Sequence, residues 1–465
     1  MKKTELRLLL ILCMSLVMVI SISAKPSFVK YNYARSCPAS EQFDLKVNGE
    51  EVFVYHTSAG DFAAFGSNDE VAIEVEYFEN IYDVFVLPRR LDIEPEVEEN
   101  RIKFKLPAHE KILIEVNTND GKEQLFIYSN EIVEERPNPE ARGMHYFKGG
   151  QIYEVGNLEL KDNETLFIEA GAVVRGRVRV NSAKNITIAG NGVLDGSYYS
   201  KHGTGGHFVR IKDCQNAKVE DIIMIEPPGW MLVLYHSENV KINNIKQLGS
   251  GHGTDGIDIV ASRKVRINNC ILRNGDDCIV VKSTKDRTDK YGELHLNEYS
   301  GPQDIVATGC AVHANGGGQA FEIGHELRLD PVKDITFQDC DVLGVHGQGG
   351  VFGIHNAESA TVSNVTYKNI RVDHYYNKLI DIRIIESRWS TQKEDGYVKN
   401  VKLEDIHVTN SIYNPGYSIS LIGGYNADHK VKNVTIKDFY IDGKKITNAD
   451  QLDLFIKQAE NVTIK

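Results

Sequence analysis

One short pattern of apolar and polar positions recurs through the C-terminal two-thirds of the chain. Each copy starts with an apolar residue, here called position p, and favours further apolar residues at p+2, p+5 and p+7. This spacing predicts a short strand, a turn and a second short strand in every copy. Position p falls at Ile186, Ala217, Val240, Val265, Ile305, Ile335, Val365, Val401, Val434 and Val462.

Units of this kind cannot bury an apolar face alone, but stacked units share one continuous core. The intervals between copies run from 23 to 40 residues, which is too irregular for leucine-rich or ankyrin repeats. The predicted fold is therefore all-β, a right-handed parallel β-helix of about ten coils. Position p+5 holds Ile, Cys or Phe, so Cys270, Cys310 and Cys340 are interpreted as core residues and not as a metal site or disulfides.

The part of the chain before the repeats has a different pattern of apolar and polar residues. Residues 40–135 alternate between apolar and polar positions, with turn signals between the segments, which predicts a small β-sandwich. The polar stretch EERPNPEARG, interrupted twice by Pro, marks its end. We predict a β-sandwich-like domain over residues 25–136 and a β-helix catalytic domain over residues 137–465.

The first 24 residues have the features of a bacterial-type signal peptide. A basic start precedes an apolar run from Leu8 to Ile20, and small residues follow near Ser23 and Ala24. Cys13 lies inside the apolar run, which argues against a lipoprotein anchor. No later segment is apolar enough to span a bilayer. The expected mature protein is a monomer that is secreted, periplasmic or at the cell surface, without membrane association.

Charge and cysteine content exclude some classes of partner. The formal net charge is −12 and no cluster of Lys and Arg is visible, which disfavours nucleic acid. The cysteines show no CxxC spacing for zinc. The sequence predicts no cofactor and no metal ion.

The stretch from Gly253 to Ser283 contains one pattern twice. DGIDIVAS and DDCIVVKS overlie each other at an offset of 21 residues, which places Asp255 on Asp276. Equivalent positions of successive coils lie about 4.8 Å apart, so these two carboxylates and Asp277 are expected to form a cluster. Stacked like charges destabilise a sheet, which points to a functional site. A calcium site and solvated turns are the alternatives, and Asp258 is interpreted as the cap of an Asx turn.

GTDGIDI followed by GDDCIVVKS resembles the paired signatures of glycoside hydrolase family 28, the polygalacturonase family. The related dextranase and isopullulanase family has similar carboxylates and also carries a β-sandwich before its β-helix. The resemblance implies Asp277 as the general acid, with Asp255 and Asp276 holding the attacking water. Lys282 matches the run after the paired Asp residues and is predicted to contact substrate.

Two further motifs of that family have no clear counterpart here. Gly317 or Gly318 aligns with the His of its GHG motif, and no segment supplies both residues of its Arg–Lys clamp for a uronate. The segments FGIHN, from Phe352, and DIRII, from Asp381, are the candidates for the clamp position. The remaining substrate-binding candidates are His252, His325, Glu326, Arg383 and Trp389, with Trp230 and His207 weaker candidates.

The sequence thus predicts an exported glycoside hydrolase that cleaves a polysaccharide or oligosaccharide by an inverting acid/base mechanism. Two alternatives stay open. A β-helix polysaccharide lyase would need calcium and a basic residue that abstracts a proton from a uronate. A carbohydrate-binding β-helix would bind a glycan but would not cleave it.

Overall fold

The computed structural model describes residues 27–117, 123–133, 136–201, 206–284, 300–390, 395–410 and 418–465. The predicted signal peptide lies outside these residues. Among them, no helix has both the length and the apolar character needed to cross a bilayer.

Two antiparallel-rich sheets form the N-terminal sandwich. One sheet has the order β1-β5-β11-β10-β7, with β4 also paired to β5, and the other has the order β3-β2-β6-β9-β8. Their inner faces alternate with outward polar residues and enclose an apolar core. Strands β1 to β11 are, in order, Phe28–Lys30, Phe43–Val47, Glu50–Val52, Val54–Thr57, Gly60–Ser67, Val71–Tyr77, Val84–Leu87, Glu96–Glu98, Arg101–Leu106, Lys111–Val116 and Gln124–Asn130.

The remaining strands form one 30-stranded sheet that winds as a right-handed parallel β-helix, so the predicted fold class is confirmed. Strands β12 to β26 are Met144–Phe147, Ile152–Leu160, Thr165–Ile168, Val173–Asn181, Thr187–Ala189, Val193–Asp195, Val209–Lys212, Gln215–Glu220, Ile223–Ile225, Leu232–Tyr235, Glu238–Asn243, Lys246–Leu248, Ile257–Val260, Arg263–Asn268 and Ile271–Asn274. Strands β27 to β41 are Ile279–Ser283, Gln303–Thr308, Ala311–Ala314, Phe321–Leu327, Val332–Gln338, Asp341–Val345, Gly350–Asn356, Thr361–Val372, Lys378–Ile384, Tyr397–Val408, Ser420–Gly423, Val431–Ile441, Lys444–Lys445, Leu454–Lys457 and Ala459–Ile464. The described helices are short: an α-helix at Ser197–Lys201 and 3-10 turns at Arg89–Leu91 and Asp450–Leu452.

The repeat pattern explains this winding. In the middle coils, positions p to p+2 lie in one strand and positions after p+5 lie in the next, as in β25 and β26. The cysteines at p+5 are buried and unbridged, as predicted, and they stack with Ile residues of neighbouring coils. Their thiols donate to nearby backbone carbonyl groups, as Cys270 does to Asn268 at 3.2 Å.

Position p−1 turns the chain at each coil. Its residues have φ between 54° and 62°, a left-handed conformation that Asn and Asp tolerate best among residues with a side chain. Where the later coil has Asn at this position, its side-chain amide donates to the Asn or Asp of the coil before it, at 2.6 to 3.2 Å. We call this set the Asn column: Asn163, Asn185, Asn216, Asn239, Lys264, Asp304, Asp334, Asn364, Asn400, Asn433 and Asn461.

The sandwich packs against one face of the β-helix through a shared apolar cluster. Phe62, Phe126 and Leu113 of the sandwich lie in the same buried cluster as Ile223 and Leu343 of the helix. Burial of such side chains contributes about 25 cal/mol per Å² of apolar surface. The contact therefore joins the two parts of the chain through buried apolar side chains, with polar contacts such as Lys111 to Asn269 at 2.9 Å beside them.

Candidate active site

The two halves of the repeated acidic pattern pair with an offset of 22 residues, and the predicted offset of 21 is wrong. Ile257 lies beside Ile279 and Asp258 beside Val280, and the Gly256 amide donates to the Asp277 carbonyl at 2.8 Å. Continued to the turn before the strands, this register places Asp277 beside Asp255, while the charge of Asp276 also helps to raise the pKa of Asp255. The offset matters because a slip of one residue turns every side chain to the opposite face.

Backbone amide groups hold the paired Asp residues that precede β27. The Gly253 amide donates to Asp276 Oδ2 at 2.9 Å, and the Gln319 amide of the next coil donates to Asp277 Oδ1 at 2.7 Å. A Cβ at Gly318 would lie 2.0 Å from the carbonyl carbon of Asp276. No side chain fits there, so a histidine like that of the GHG motif cannot occupy position 318 in this backbone.

Lys282 is the central cation of the cluster. Its Nζ lies 2.8 Å from Asp255 Oδ2 and 2.9 Å from Asp258 Oδ1, and it sits 3.7 Å from the centroid of the Trp230 ring. These three contacts lie inside the cluster, and the Lys282 side chain is only 5% exposed. This geometry disfavours the predicted contact of Lys282 with substrate and makes it the residue that positions two carboxylates.

Asp258 corrects a second sequence-based interpretation. The residue lies inside β24 with a fully buried side chain and binds Lys282, so it is not the cap of an Asx turn. Its second carboxylate oxygen, Oδ2, has no hydrogen-bond partner within the described part of the chain.

The cluster holds more buried carboxyl groups than cations, so it retains protons. Burial raises the pKa of Asp255 and of Asp258, and the attraction of Lys282 only partly opposes this. Burial also raises the pKa of Asp277 well above its usual range, and Asp255, Glu322 and Asp276 add to the effect. For Lys282, burial acts to lower the pKa, but Asp255 and Asp258 hold it well above its ordinary value. A protonated carboxyl beside ionised ones is the arrangement that acid/base catalysis requires.

A second charged network, missed in the sequence, lies on the next coils. His355 Nδ1 lies 2.8 Å from Glu322 Oε1, and His355 Nε2 lies 3.1 Å from Asp381 Oδ2. Burial alone would lower the pKa of His355, but Glu322 and Asp381 raise it to about 10. Arg383 binds Asp381 through Nη2 at 2.9 Å, so its charge is already paired.

The register explains how this network reaches the aspartate cluster. Asp258, Val280, Glu322, Gly353 and Asp381 are successive partners in adjacent coils. No motif marks Glu322, whereas His355 and Asp381 lie in FGIHN and DIRII, the segments considered for the clamp position. Their link to the aspartate cluster follows only from the strand register.

The other predicted substrate-binding residues differ in how far they are exposed to solvent. Glu326 is buried and contributes to the raised pKa values of Asp255, Asp258 and Lys282. His325 stacks on His355 with 4.8 Å between ring centroids, and its Nδ1 lies 3.1 Å from Ser387 Oγ. His252 is exposed in the turn next to Gly253. Trp389 is 48% exposed, with the Arg388 guanidinium 4.6 Å from its ring centroid.

Trp230 stacks on His207 with 5.2 Å between ring centroids and also covers Lys282. Trp230 is therefore part of the cluster, whereas Trp389 is about half exposed and lies outside it. The structure brings Asp255, Asp276, Asp277 and Lys282 together. Glu326 interacts electrostatically with Lys282 of the same group.

Similar proteins are known from sequence and from structure. The chain is 21% identical to a probable polygalacturonase of Arabidopsis thaliana over 49% of this chain and 47% of that protein. It is 26% identical to a probable rhamnogalacturonase B of Aspergillus terreus over 44% of this chain and 36% of that protein. The chain thus spans less than half the length of these two curated relatives.

Among solved structures, Dex49A from Penicillium minioluteum has a similar fold. The superposition covers 94% of this chain and 96% of that chain, with a TM-score of 0.61 and 13% sequence identity. The similarity therefore extends over the sandwich as well as the β-helix.

The family model "Glycosyl hydrolases family 28" matches residues 156–453, which is more than half of the chain and includes all three clustered aspartates. The resemblance of GTDGIDI and GDDCIVVKS to that family is thereby confirmed. This chain belongs to glycosyl hydrolases family 28.

Proposed function

We propose that this protein hydrolyses glycosidic bonds of a polysaccharide or oligosaccharide. The observation that carries the proposal is the group of three aspartates, Asp255, Asp276 and Asp277, around one buried lysine in a chain of this family. In such hydrolysis one carboxyl group acts as the general acid and must be protonated, and another acts as the base and must be ionised. The excess of buried carboxyls over cations supports that division.

The register suggests which carboxyls act together. Asp255 and Asp277, neighbours in adjacent coils, hold the attacking water and accept its proton. Asp276, whose side chain is bound from the Gly253 turn, protonates the oxygen of the leaving sugar. The water oxygen then forms a bond to the anomeric carbon while the bond from that carbon to the leaving oxygen breaks.

The opposite assignment, with Asp277 as the acid, follows from the family resemblance and is supported by one observation. The pKa of Asp277 is raised by burial and by Asp255. We favour Asp276 because two carboxyls that share a water must be neighbours, and the register gives that place to Asp255 and Asp277.

Incubation with a panel of plant and microbial glycans tests the activity. New reducing ends indicate hydrolysis, absorbance of an unsaturated uronide indicates a lyase, and retention without cleavage indicates a binding protein. Either of the last two results would reject the proposed activity.

Within that panel, unmodified polygalacturonate is expected to be a poor substrate compared with a neutral or differently decorated glycan. A galacturonate beside the cleaved bond needs a counter-charge. Lys282 and Arg383 already bind aspartates, and Lys378 Nζ lies 3.8 Å from Asp381. The measurement is the initial rate of reducing-end release from each glycan at equal mass concentration. Efficient release of galacturonic acid from plain polygalacturonate would contradict this prediction.

The reaction is expected to invert the anomeric configuration. Retaining enzymes place acid and nucleophile about 5 to 5.5 Å apart, whereas inverting enzymes leave room for water. Here Asp255 and Asp277 hold the water, and Asp276 approaches the leaving oxygen from another side of the sugar. Proton NMR of fresh product, before mutarotation, reports the first-formed anomer. A product that keeps the configuration of the substrate would make Asp255 or Asp277 a nucleophile and overturn the shared-water assignment.

We also propose that the protein acts outside the cytoplasm. The basic start, the apolar run and the small residues near Ala24 support export. Determination of the mature N-terminus in the producing cell, together with fractionation, tests this. An intact Met1 in a cytoplasmic fraction would reject it.

A further inference from the structure

A cluster of histidines lies where the sandwich packs against the β-helix. His313, His346 and His374 come from or directly follow strands of successive coils, and Glu115 and Gln124 reach them from β10 and β11 of the sandwich. The His313 and His346 rings have centroids 4.9 Å apart, and those of His346 and His374 are 4.6 Å apart. The cluster therefore joins side chains from both parts of the fold.

Three of these residues converge at the distances of a metal site. One ligand atom each of Glu115, His313 and His346 lies within 4.8 Å of the other two. Glu115 Oε1 is 3.5 Å from His313 Nε2 and 3.9 Å from His346 Nε2. These separations are too long for good hydrogen bonds. The Gln124 Nε2 amide lies between two of these atoms, 2.8 Å from Glu115 Oε1 and 3.2 Å from His313 Nε2, so a metal ion would replace these hydrogen bonds to Gln124.

Several polar atoms of the cluster are buried without a partner in the described part of the chain. They are His313 Nδ1, His346 Nε2, His374 Nδ1 and Gln124 Oε1. The His313 side chain is fully buried, and the His346 side chain is 10% exposed. Of these four atoms, His346 Nε2 is the one measured against Glu115 Oε1, and a buried polar atom left unpaired destabilises the fold unless a ligand pairs it.

The backbone makes room for this convergence at Gly344. A Cβ there would lie 2.8 Å from His346 Nε2 and 3.2 Å from His313 Cδ2. Only glycine therefore lets the two rings approach each other at this coil.

A positively charged side chain lies beside the cluster. Arg273, the strand neighbour of His313, is the nearby positive charge that a metal ion would have to tolerate, and its Nη1 donates to the Gly249 carbonyl at 2.8 Å.

We propose that Glu115, His313 and His346 bind a divalent transition-metal ion of the zinc type. Imidazole nitrogens with one carboxylate oxygen are ligands that Zn²⁺ favours. The site is buried and joins sandwich to helix, so the ion acts in stability and not in catalysis. The sequence predicted no metal because these ligands are far apart in the chain and follow no spacing motif.

A second group, Glu322, His325 and His355, also has ligand atoms within 4.8 Å of one another. There both nitrogens of His355 already lie beside carboxylates, Glu322 and Asp381. That group is charge-balanced without an ion, so it serves as the competing site in the experiment.

The test uses the full chain, stripped with a chelator and titrated with Zn²⁺ alone. Metal analysis after gel filtration is expected to give one zinc per chain, with a higher Tm than the stripped protein. Co²⁺ in place of Zn²⁺ is expected to give visible absorption bands of a low-coordinate nitrogen and oxygen site. Failure to retain zinc, with no change in Tm, would overturn the proposal.

Variants locate the ion. Glu115→Gln and His346→Ala are expected to weaken zinc binding by more than the roughly 10- to 100-fold that loss of an outer partner costs. His325→Ala, in the competing group, and His407→Ala, at an exposed histidine beside Asp405, are expected to keep full zinc content. Loss of zinc in His325→Ala but not in Glu115→Gln would place the ion in the competing group around His325 and reject the site between sandwich and β-helix. Glu115→Gln keeps the shape of the side chain, so this comparison holds even where His346→Ala folds poorly.

Discussion

Asp276→Asn is expected to lower kcat on the natural glycan about 100-fold or more, the usual contribution of a general acid. Asn cannot donate a proton to the leaving oxygen, but it keeps the side-chain oxygen that accepts from the Gly253 amide. The loss is expected to be much smaller on an aryl glycoside of the same sugar whose leaving group needs no protonation. Initial rates on both substrates measure the difference.

Asp277→Asn is the matched comparison. As a member of the pair that holds the water, it is expected to lose activity equally on both substrates. Asp405→Asn, at a residue of β36 with φ of 59°, where Asn is well tolerated, and with a side chain 47% exposed, is the control for protein handling and folding. If Asp277→Asn were the variant rescued by the aryl glycoside, Asp277 would be the acid and Asp276 would belong to the water.

Lys282→Met is expected to destabilise the fold by about 3 to 5 kcal/mol, the typical cost of removing one partner from a buried ion pair. Asp255 and Asp258 would lose their cation at 2.8 and 2.9 Å in a site where both are buried. Because the abandoned carboxyls can protonate at low pH, the destabilisation is expected to shrink as the pH falls. Denaturant unfolding at pH 5 and pH 8 measures this.

The double variant Lys282→Met/Asp258→Asn separates charge balance from catalysis. Removing the second carboxylate is expected to recover part of the lost stability because one fewer buried charge is left unpaired. Activity is not expected to return, since Asp255 still lacks the cation that positions it. Wild-type stability of Lys282→Met alone would show that the carboxyls are neutral without Lys282.

The fold could be predicted from the sequence because its signal is repeated. Ten copies of one pattern each place the same apolar positions inward, so an error in one copy does not change the architecture. The cysteines at p+5 were assigned correctly for the same reason, since Ile occupies the equivalent position of other coils.

The site was harder because it depends on single residues in turns. The sequences DGIDIVAS and DDCIVVKS align best at an offset of 21 residues, but the two strands pair in the structure at an offset of 22 residues because of the length of the turns. That one residue places Asp277 instead of Asp276 in strand register with Asp255. Glu322 lies in no recognised motif and His355 lies in a segment considered only for the clamp, so strand pairing alone brings them to the cluster.

The Asn column has a consequence for how such a chain can change during evolution. From Lys264 to Asp304 the column advances by 40 residues, against 23 from Asn216 to Asn239, yet Val265 still pairs with Ile305 just as Ala217 pairs with Val240. Extra residues are therefore accommodated between coils without disturbing the register. A lineage can lengthen or shorten its loops and acquire new glycan preferences, while the rigid scaffold that aligns the aspartates is inherited unchanged.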